Sequence, residues 1–331
     1  MSGFDFNASD LKLLQRLQGF IPENVFDSHA HIYNLAHMPK DVHQIYNQYG
    51  DADAARYMLD QKKLYGERRV RALLIPYPAV PFMDKALRHE VNLWITGQLE
   101  SAPGCVCEIY TAPGDTEAEL EAQLTTDRIK GFKCYHLTAE CDCPTWQANI
   151  GQYLPESAWA VANKHGLCLT LHMVKELSLS DPENLVYIKG MTAKYPYATL
   201  ILAHCARGFA SWQTIEAVRQ LKGIPNLYYD MAAITDPATM FELIRQVGAD
   251  KVMWGSDYPI DRSHTRTVNI GQDFVWLENC EALEKMGFIC NSLCLESLFA
   301  FYQASLMLDA KIEDIENIFY YNAVRLFGLE A

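Results

Sequence analysis

The sequence lacks the features that would place the chain in a membrane or on nucleic acid. Half of its 331 residues are hydrophobic, yet none of its apolar runs approaches the roughly 20 residues that a transmembrane helix requires. It has no run of lysine and arginine, and its formal net charge is −13. Such an acidic chain is a poor ligand for nucleic acid or for an anionic bilayer. We therefore expect neither among its partners.

The sequence also lacks a secretory signal and the cysteine spacing of a structural zinc site. The segment MSGFDFNASDLKLLQRL (1–17) has no basic region followed by an apolar stretch, so a cytoplasmic location is expected. There are ten cysteines, but the two closest pairs have C-x-C spacing (105–107 and 141–143) instead of C-x-x-C. Without a secretory signal, these thiols are predicted to be reduced and mostly buried.

Repeats, low-complexity segments and linkers are absent too, which favours a single domain that spans residues 1–331. What is present is an alternation of short apolar β-rich runs with helical patterns. Such alternation predicts an α/β fold with a parallel sheet, and eight units predict a (β/α)₈ TIM barrel. The predicted strands cover 24–30, 70–78, 105–112, 129–137, 166–173, 198–206, 226–233 and 251–259.

Three parts lie outside this minimal barrel. Residues 5–20 resemble an N-terminal helix, and the chain after residue 260 is predicted to be helical to its end. The first strand-to-helix connection, 33–69, is unusually long and partly helical in pattern. A lid over an active site is the commonest reason for such a connection, and packing decoration is the alternative. His37 and His43 would reach the site only if this connection folds over it.

Polar residues end several of the predicted strands at the same side. The segment VFDSHAHIYN places His29 and His31 two apart, so both rings project from one face of a strand. His172 ends the fifth strand, His204 the sixth and Asp257 the eighth. Core histidines would be scattered along the strands, whereas active sites of barrels form at the carboxyl ends. Three or more imidazoles and a carboxylate predict a divalent metal site, with zinc first and manganese or iron as alternatives.

This set of residues resembles the amidohydrolase superfamily, and within it the amidohydrolase-2 family of metal-dependent hydrolases and decarboxylases. The H-x-H pair matches the motif of the first strand, and the segment IENIFYYNAVRLFGL (315–329) resembles the closing helix of the family. The resemblance implies that one metal is held by four residues. His204 would orient water or polarise a carbonyl, or bind the metal directly, and Asp257 would also move a proton. The four implied ligands are His29, His31, His172 and Asp257.

Lys133, near the end of the fourth strand, has three interpretations, the simplest of which is a solvated side chain without a role in the site; the other two are functional. In two-metal members of the superfamily a lysine on that strand carries a carboxylate group and bridges the ions. The alternative, which we favour, is one metal with Lys133 binding an anionic substrate. Tyr135 shares the face of Lys133 if the strand continues, and is a further candidate for substrate binding.

Arg207, in HCARGF, departs from the small residues that the family more often has at this position. It would bind a substrate carboxylate, or hold its loop through a salt bridge. The leading prediction is a metal-dependent hydrolase of a small amide, ester or lactone that carries a carboxylate. Non-oxidative decarboxylation is the alternative, and a catalytically inert metal- or ligand-binding barrel is a third. A homo-oligomer is compatible with any of these.

Overall fold

Eight parallel strands form the centre of the molecule and follow one another in chain order. The computed structural model describes residues 6–39, 49–78 and 82–330. The TIM barrel predicted from the sequence is therefore confirmed. The strands are β1 (Asn24–Ile32), β2 (Arg69–Pro76), β3 (Val106–Tyr110), β4 (Ile129–Cys134), β5 (Cys168–Leu171), β6 (Thr199–Leu202), β7 (Leu227–Asp230) and β8 (Val252–Met253).

The segment that follows β8 nearly closes the barrel against β1. The Ser28 amide donates to the Trp254 carbonyl at 2.9 Å, and the Asp257 amide donates to the His29 carbonyl at 2.8 Å. Gly255 permits this close approach, because a Cβ at that position would lie 2.9 Å from the Cβ of His29. The first and last strands therefore meet directly beside the predicted metal ligands.

Helices surround the strands, and several begin at an aspartate that caps free backbone amides. Asp181 and Asp236 also precede a proline at the first helical position, where proline is favoured. Within the described residues, no helix is both long and apolar enough to cross a bilayer. The helices are α1 (Ala8–Leu17), α2 (Ala54–Tyr65), α3 (Lys85–Gln98), α4 (Glu117–Ala122), α5 (Glu156–His165), α6 (Pro182–Lys194), α7 (Ser211–Ala217), α8 (Pro237–Val247), α9 (Glu281–Lys285), α10 (Leu293–Leu308), α11 (Ile312–Glu316) and α12 (Asn322–Leu326).

The prediction that the chain is helical throughout after residue 260 was wrong. Two antiparallel strands, β9 (Thr265–Ile270) and β10 (Asp273–Glu278), form a hairpin before the C-terminal helices begin. The connection contains Gly271 with a φ of 64°, a conformation that glycine adopts without strain. The signal for a strand was the short run FVWL in DFVWLE, rich in aromatic and β-branched residues and bounded by acids, and it was missed.

The N-terminal helix and the helix in the long first connection are present as α1 and α2. Residues 40–48 of that connection, including His43, lie outside the described part of the chain. His37 is buried, with its ring centroid 5.5 Å from that of Trp94. Most predicted strands extended too far at their carboxyl ends, because apolar residues continue into the buried loops there.

Candidate metal centre

Three predicted ligands converge at the carboxyl end of the barrel, beside the seam where the segment after β8 meets β1. The Nε2 atoms of His29 and His31 lie 3.1 Å apart. The Oδ1 atom of Asp257 is 3.6 Å from the first of these nitrogens and 3.5 Å from the second. All three residues are buried. They therefore present three potential ligand atoms to one point.

The hydrogen bonds of the two imidazoles leave both Nε2 atoms as acceptors. Nδ1 of His29 is 2.9 Å from the carboxylate of Asp230, and Nδ1 of His31 is 3.0 Å from the carbonyl of Pro76. The Pro76 carbonyl can only accept, and with Asp230 as the acceptor for His29 each Nδ1 is assigned the proton of its ring. Two nitrogen lone pairs then face each other at 3.1 Å, an arrangement that a cation between them would stabilise.

The geometry and charge of this triplet fit a divalent metal ion. Ligands about 2.1 Å from a tetrahedral ion are separated by about 3.4 Å, close to the three distances above. Burial lowers the pKa values of both histidines well below 6.5, so they are neutral and able to ligate. Burial also raises the pKa of Asp257 to about 7. A bound cation would offset the cost of ionising that carboxyl group.

His172 and His204 lie on the other side of His29. The ring centroid of His204 is 4.9 Å from that of His29 and 5.1 Å from that of His172. His172 belongs to neither of the two groups of mutually close metal-ligand atoms found among the described residues, whereas His204 forms the second group with His29 and Asp230. The structure thus brings together three of the four ligands implied by the resemblance, and places His172 farther from the triplet.

The loop after β6 has an unusual backbone that fixes His204. His204 and the next three residues all have φ between 50° and 61°, a left-handed turn that non-glycine residues rarely adopt. The carboxylate of Asp230 accepts the His204 amide at 2.9 Å, and the Ala232 carbonyl accepts from Nδ1 of the His204 ring at 3.0 Å. The turn therefore directs Nε2 of His204, as a free acceptor, away from that carbonyl.

A buried network beneath the triplet links β1 to the segment after β8. The carboxylate of Asp27 accepts from the hydroxyl of Ser256 at 2.5 Å, from the Ser256 amide at 2.8 Å and from the hydroxyl of Tyr57 at 3.0 Å. Burial is the largest influence on Asp27 and raises its pKa to about 6. These bonds fix the backbone that carries His29 and Asp257.

Lys133 points into the barrel interior instead of toward solvent. It is 1% exposed, and its Nζ has no hydrogen-bond partner among the described residues. Burial lowers its pKa, while the charges of Glu108, Asp230 and Asp257 act in the opposite direction. Glu108 is buried as well and accepts from the hydroxyl of Thr170 at 2.8 Å. Lys133 is thus close enough to the candidate centre to interact electrostatically with its carboxylates.

Arg207 and Tyr135 lie near the histidines at the mouth of the barrel. Because β4 ends at Cys134, Tyr135 begins a loop, and its ring centroid is 4.5 Å from that of His172. Within the described chain, no carboxylate lies within ion-pairing distance of Arg207. Its hydrogen bond is a long one, 3.4 Å, from Nη1 to the Lys175 carbonyl. Its charge lowers the pKa values of His136 and His172, in both cases as a smaller effect than burial.

Two buried acids near the site were missed by the sequence reasoning. Asp230 lies at the carboxyl end of the seventh strand, as His172 and His204 lie at the ends of the fifth and sixth. The rule that polar residues at these ends mark the site therefore applies to Asp230 as well. Glu108 interrupts the apolar run CVCEIYTA of the third strand. Its position within the strand, instead of at its end, gave no such signal.

The comparisons with known proteins agree with this geometry. A family model described as amidohydrolase, that of the amidohydrolase-2 family, matches residues 26–329. Comparison with functionally curated proteins gave no match.

Solved structures of the same fold include hydrolases and a decarboxylase. An amidohydrolase from Burkholderia multivorans with bound zinc has a TM-score of 0.58 at 14% identity, covering 92% of this chain and 99% of that one. A putative 2-pyrone-4,6-dicarboxylic acid hydrolase from Pseudomonas putida has a TM-score of 0.56 at 15% identity, covering 94% of this chain and 100% of that one. The 2,6-dihydroxybenzoate decarboxylase from Rhizobium has a TM-score of 0.59 at 15% identity, covering 92% of this chain and 98% of that one.

At these identities the solved structures establish the fold alone. The family model, however, spans nearly the whole barrel and includes the histidine pair of β1, the loop after β6 and the aspartate that follows β8. The resemblance noted in the sequence is therefore confirmed, and the chain belongs to the amidohydrolase-2 family.

Proposed function

We propose that the protein is a metal-dependent hydrolase of a small lactone, ester or amide that carries a carboxylate group. The observation that supports this most directly is the position of Arg207. Its guanidinium lies at the barrel mouth close to His172 and His204, and it has no carboxylate partner among the described residues. Planar guanidinium groups bind carboxylates through two parallel hydrogen bonds. A substrate carboxylate would supply that partner.

In this proposal His29, His31 and Asp257 hold one divalent ion, with zinc as the first candidate. A second ion bridged by a carboxylated Lys133 is the alternative. When bound, the ion lowers the pKa of a water molecule and polarises a carbonyl group. His172 is either a further ligand or a contact for the substrate.

His204 is suited to orienting the attacking water. Its Nδ1 donates to the Ala232 carbonyl, so its Nε2 is an acceptor and has no proton to give to a substrate carbonyl. Burial lowers its pKa to about 4, which keeps the ring neutral at physiological pH. Of the three roles that the sequence left open for His204, this tautomer is compatible with orienting water and with binding the metal, and it does not fit donation to a substrate carbonyl.

Asp257 is suited to carrying the proton. Its Oδ1 lies 3.5–3.6 Å from the Nε2 atoms of His29 and His31, so a water bound at the same point would lie beside a carboxylate that can accept its proton. Asp257 would accept a proton from the water and pass it to the leaving oxygen or nitrogen of the substrate. Lys133 and Tyr135 would contact the remaining polar groups of that substrate.

Product analysis distinguishes hydrolysis from decarboxylation. The zinc-loaded protein would be incubated with carboxylated lactones, esters and amides, beginning with 2-pyrone-4,6-dicarboxylate, in water enriched in ¹⁸O. Hydrolysis predicts one ¹⁸O atom in the product and no release of CO₂. The relatives include a decarboxylase, so aromatic carboxylic acids belong in the same panel. Release of CO₂ without incorporation of ¹⁸O would replace this proposal with the decarboxylase alternative.

The control is Asp257→Asn, which retains the shape of the side chain but lacks its charge. We expect this variant to fold and to lose turnover. If the metal-loaded wild-type protein turned over no member of the panel, or if Asp257→Asn were equally active, the proposal would be wrong.

A further inference from the structure

We propose that Phe274, on β10, is a positioning residue that holds the guanidinium of Arg207 in the orientation in which it binds a substrate carboxylate. This inference rests on the proposed function, because it concerns the same arginine. It assigns a role to the β9–β10 hairpin, which the family resemblance did not imply.

The hairpin is fixed to loops at the carboxyl end of the barrel. The indole Nε1 of Trp212, just after the left-handed turn, donates to the Gln272 carbonyl at 2.7 Å. The side-chain amide of Asn269 donates to the carboxylate of Asp236 at 2.7 Å, and Thr267 is hydrogen-bonded to Thr235 through their hydroxyls at 2.8 Å. Helix α7 and the loop after β7 therefore hold β9 and its connection to β10 beside the mouth.

An aromatic chain connects the hairpin to the candidate metal centre. The ring centroid of Phe209 lies 5.4 Å from that of His204, 5.2 Å from that of Phe274 and 5.3 Å from that of Trp276. Phe274 and Trp276 are two residues apart on a strand, so they project from the same face. Val275 projects from the opposite face and is 42% exposed.

Phe274 is the aromatic partner of Arg207. The guanidinium carbon lies 5.8 Å from the centre of the Phe274 ring, within the range of a cation–π interaction. Apart from this contact, Arg207 has the long bond to the Lys175 carbonyl, which constrains one nitrogen weakly. A guanidinium over a ring keeps its in-plane N–H groups available for a carboxylate. Phe274 thus restricts the arginine side chain without occupying its donors.

A double-mutant cycle on ligand binding tests this role. The probes are benzoate and benzamide, which have the same ring and differ in charge, and binding to the zinc-loaded protein is followed by tryptophan fluorescence. Phe274→Leu should raise the dissociation constant of benzoate about three- to tenfold, the range of a partly exposed cation–π contact. Benzamide binding should be unchanged, and Phe274→Tyr should restore benzoate binding because it retains the ring.

The effect of Phe274→Leu on benzoate should disappear in the background of Arg207→Gln, because the two residues would act through one contact. Val275→Ala is the matched control on the other face of the strand and should leave both affinities unchanged. Melting temperatures of all variants identify any general loss of structure.

The outcomes separate this inference from the proposed function. If Arg207→Gln abolished the preference for benzoate but Phe274→Leu did not weaken it, the inference would be wrong and the proposed role of Arg207 would stand. If Arg207→Gln left the preference intact, the carboxylate-binding role itself would be wrong, and the inference with it. Equal weakening of benzoate and benzamide by Phe274→Leu would assign the residue to general packing.

Discussion

His29 contributes to the candidate centre through both of its ring nitrogens. One faces the triplet, and the other donates to Asp230, which also accepts the backbone amides of His204 and Ala232. A carboxylate behind a metal-binding histidine fixes its tautomer and increases its basicity. Asp230 therefore organises the site without belonging to the His29–His31–Asp257 triplet.

We expect Asp230→Asn to lower zinc affinity by about 10- to 100-fold, because the amide can present its NH₂ group to His29 and disfavour the required tautomer. Competition with a chromophoric chelator measures this affinity. Asp236→Asn, at a helix N-terminus, is the control and should bind zinc normally. An unchanged affinity in Asp230→Asn would mean that the orientation of His29 does not depend on this carboxylate.

The two readings of Lys133 differ in the number of metal ions. With one ion, we expect about one equivalent of metal per chain, retained in Lys133→Ala, with KM raised for an anionic substrate. The bridged model requires about two equivalents, and loss of metal in that variant. Elemental analysis after dialysis decides between them. Retained metal with an unchanged KM would leave both readings wrong about Lys133.

Arg207 should control the recognition of substrate charge. A charge-assisted pair with a carboxylate contributes about 1.5–3 kcal/mol, so Arg207→Gln should lower kcat/KM for a carboxylated substrate by about one to two powers of ten. Arg207→Lys should recover part of this loss, because an ammonium group lacks the planar fork. The kcat/KM for a neutral analogue of the substrate should be nearly the same in the wild-type protein and in both Arg207 variants. The control is Arg245→Gln, which replaces an exposed arginine that pairs with Glu242 on α8. Losses that followed melting temperature and ignored substrate charge would favour a structural role.

At the scale of elements, the left-handed turn 204–207 is held by hydroxyl groups from neighbouring segments. The hydroxyl of Ser178 donates to the Ala206 carbonyl at 3.0 Å, and that of Thr214 donates to the Cys205 carbonyl at 3.1 Å. A backbone in this conformation costs free energy that the surroundings must supply. The hydroxyl groups thus maintain the positions of both His204 and Arg207.

Thr214→Val should lower the free energy of unfolding by about 1–3 kcal/mol, because it leaves a buried carbonyl without its partner. Chemical denaturation measures this change. Thr192→Val is the matched control: its hydroxyl bonds the Ile188 carbonyl within a helix, where the backbone already supplies a donor. A larger loss in the control than in Thr214→Val would contradict the role assigned to the turn.

The secondary-structure elements also show which features of the fold and the site could be predicted from the sequence. The eight strands and the clustering of polar residues at one end follow from local patterns, and both were predicted. The arrangement around His172 was not, because it depends on where β5 ends and how the next loop turns. The left-handed turn after β6 had no glycine to signal it. Tertiary hydrogen bonds stabilise it, and these join residues far apart in the sequence.

At the scale of the whole molecule, a contact between the buried Asp10 and the half-buried His264 connects the N-terminal helix to the C-terminal third of the chain. The carboxylate of Asp10 is 2.7 Å from Nε2 of His264 and accepts the Ser292 amide at 2.8 Å. The hydrogen bond that the His264 ring donates to Asp10 raises the pKa of His264. Burial alone would raise the pKa of Asp10, but its hydrogen bonds with His264, Ser292 and Asn7 outweigh this and lower it.

This pair predicts a pH dependence of stability. The raised pKa of His264 means that its contribution is complete below the unfolded value of about 6.5 and is lost as pH rises through the folded value. The lowered pKa of Asp10 means that its contribution is present above about 3.8 and is lost as pH falls through the folded value. Wild-type stability relative to His264→Ala should therefore be greatest between these values and decline toward pH 8. An advantage that grew between pH 6 and pH 8 would contradict this assignment. Thermal melts of both proteins across that range measure it.

The seam between β1 and the segment after β8 has a consequence for how the site comes into being during synthesis. His29 and His31 of the triplet are synthesised more than 220 residues before Asp257. No partial chain that ends before Asp257 holds the complete triplet, so a nascent or truncated barrel cannot capture metal at this site prematurely. Metal binding at the triplet therefore requires that the segment after β8 has been made and has closed against β1.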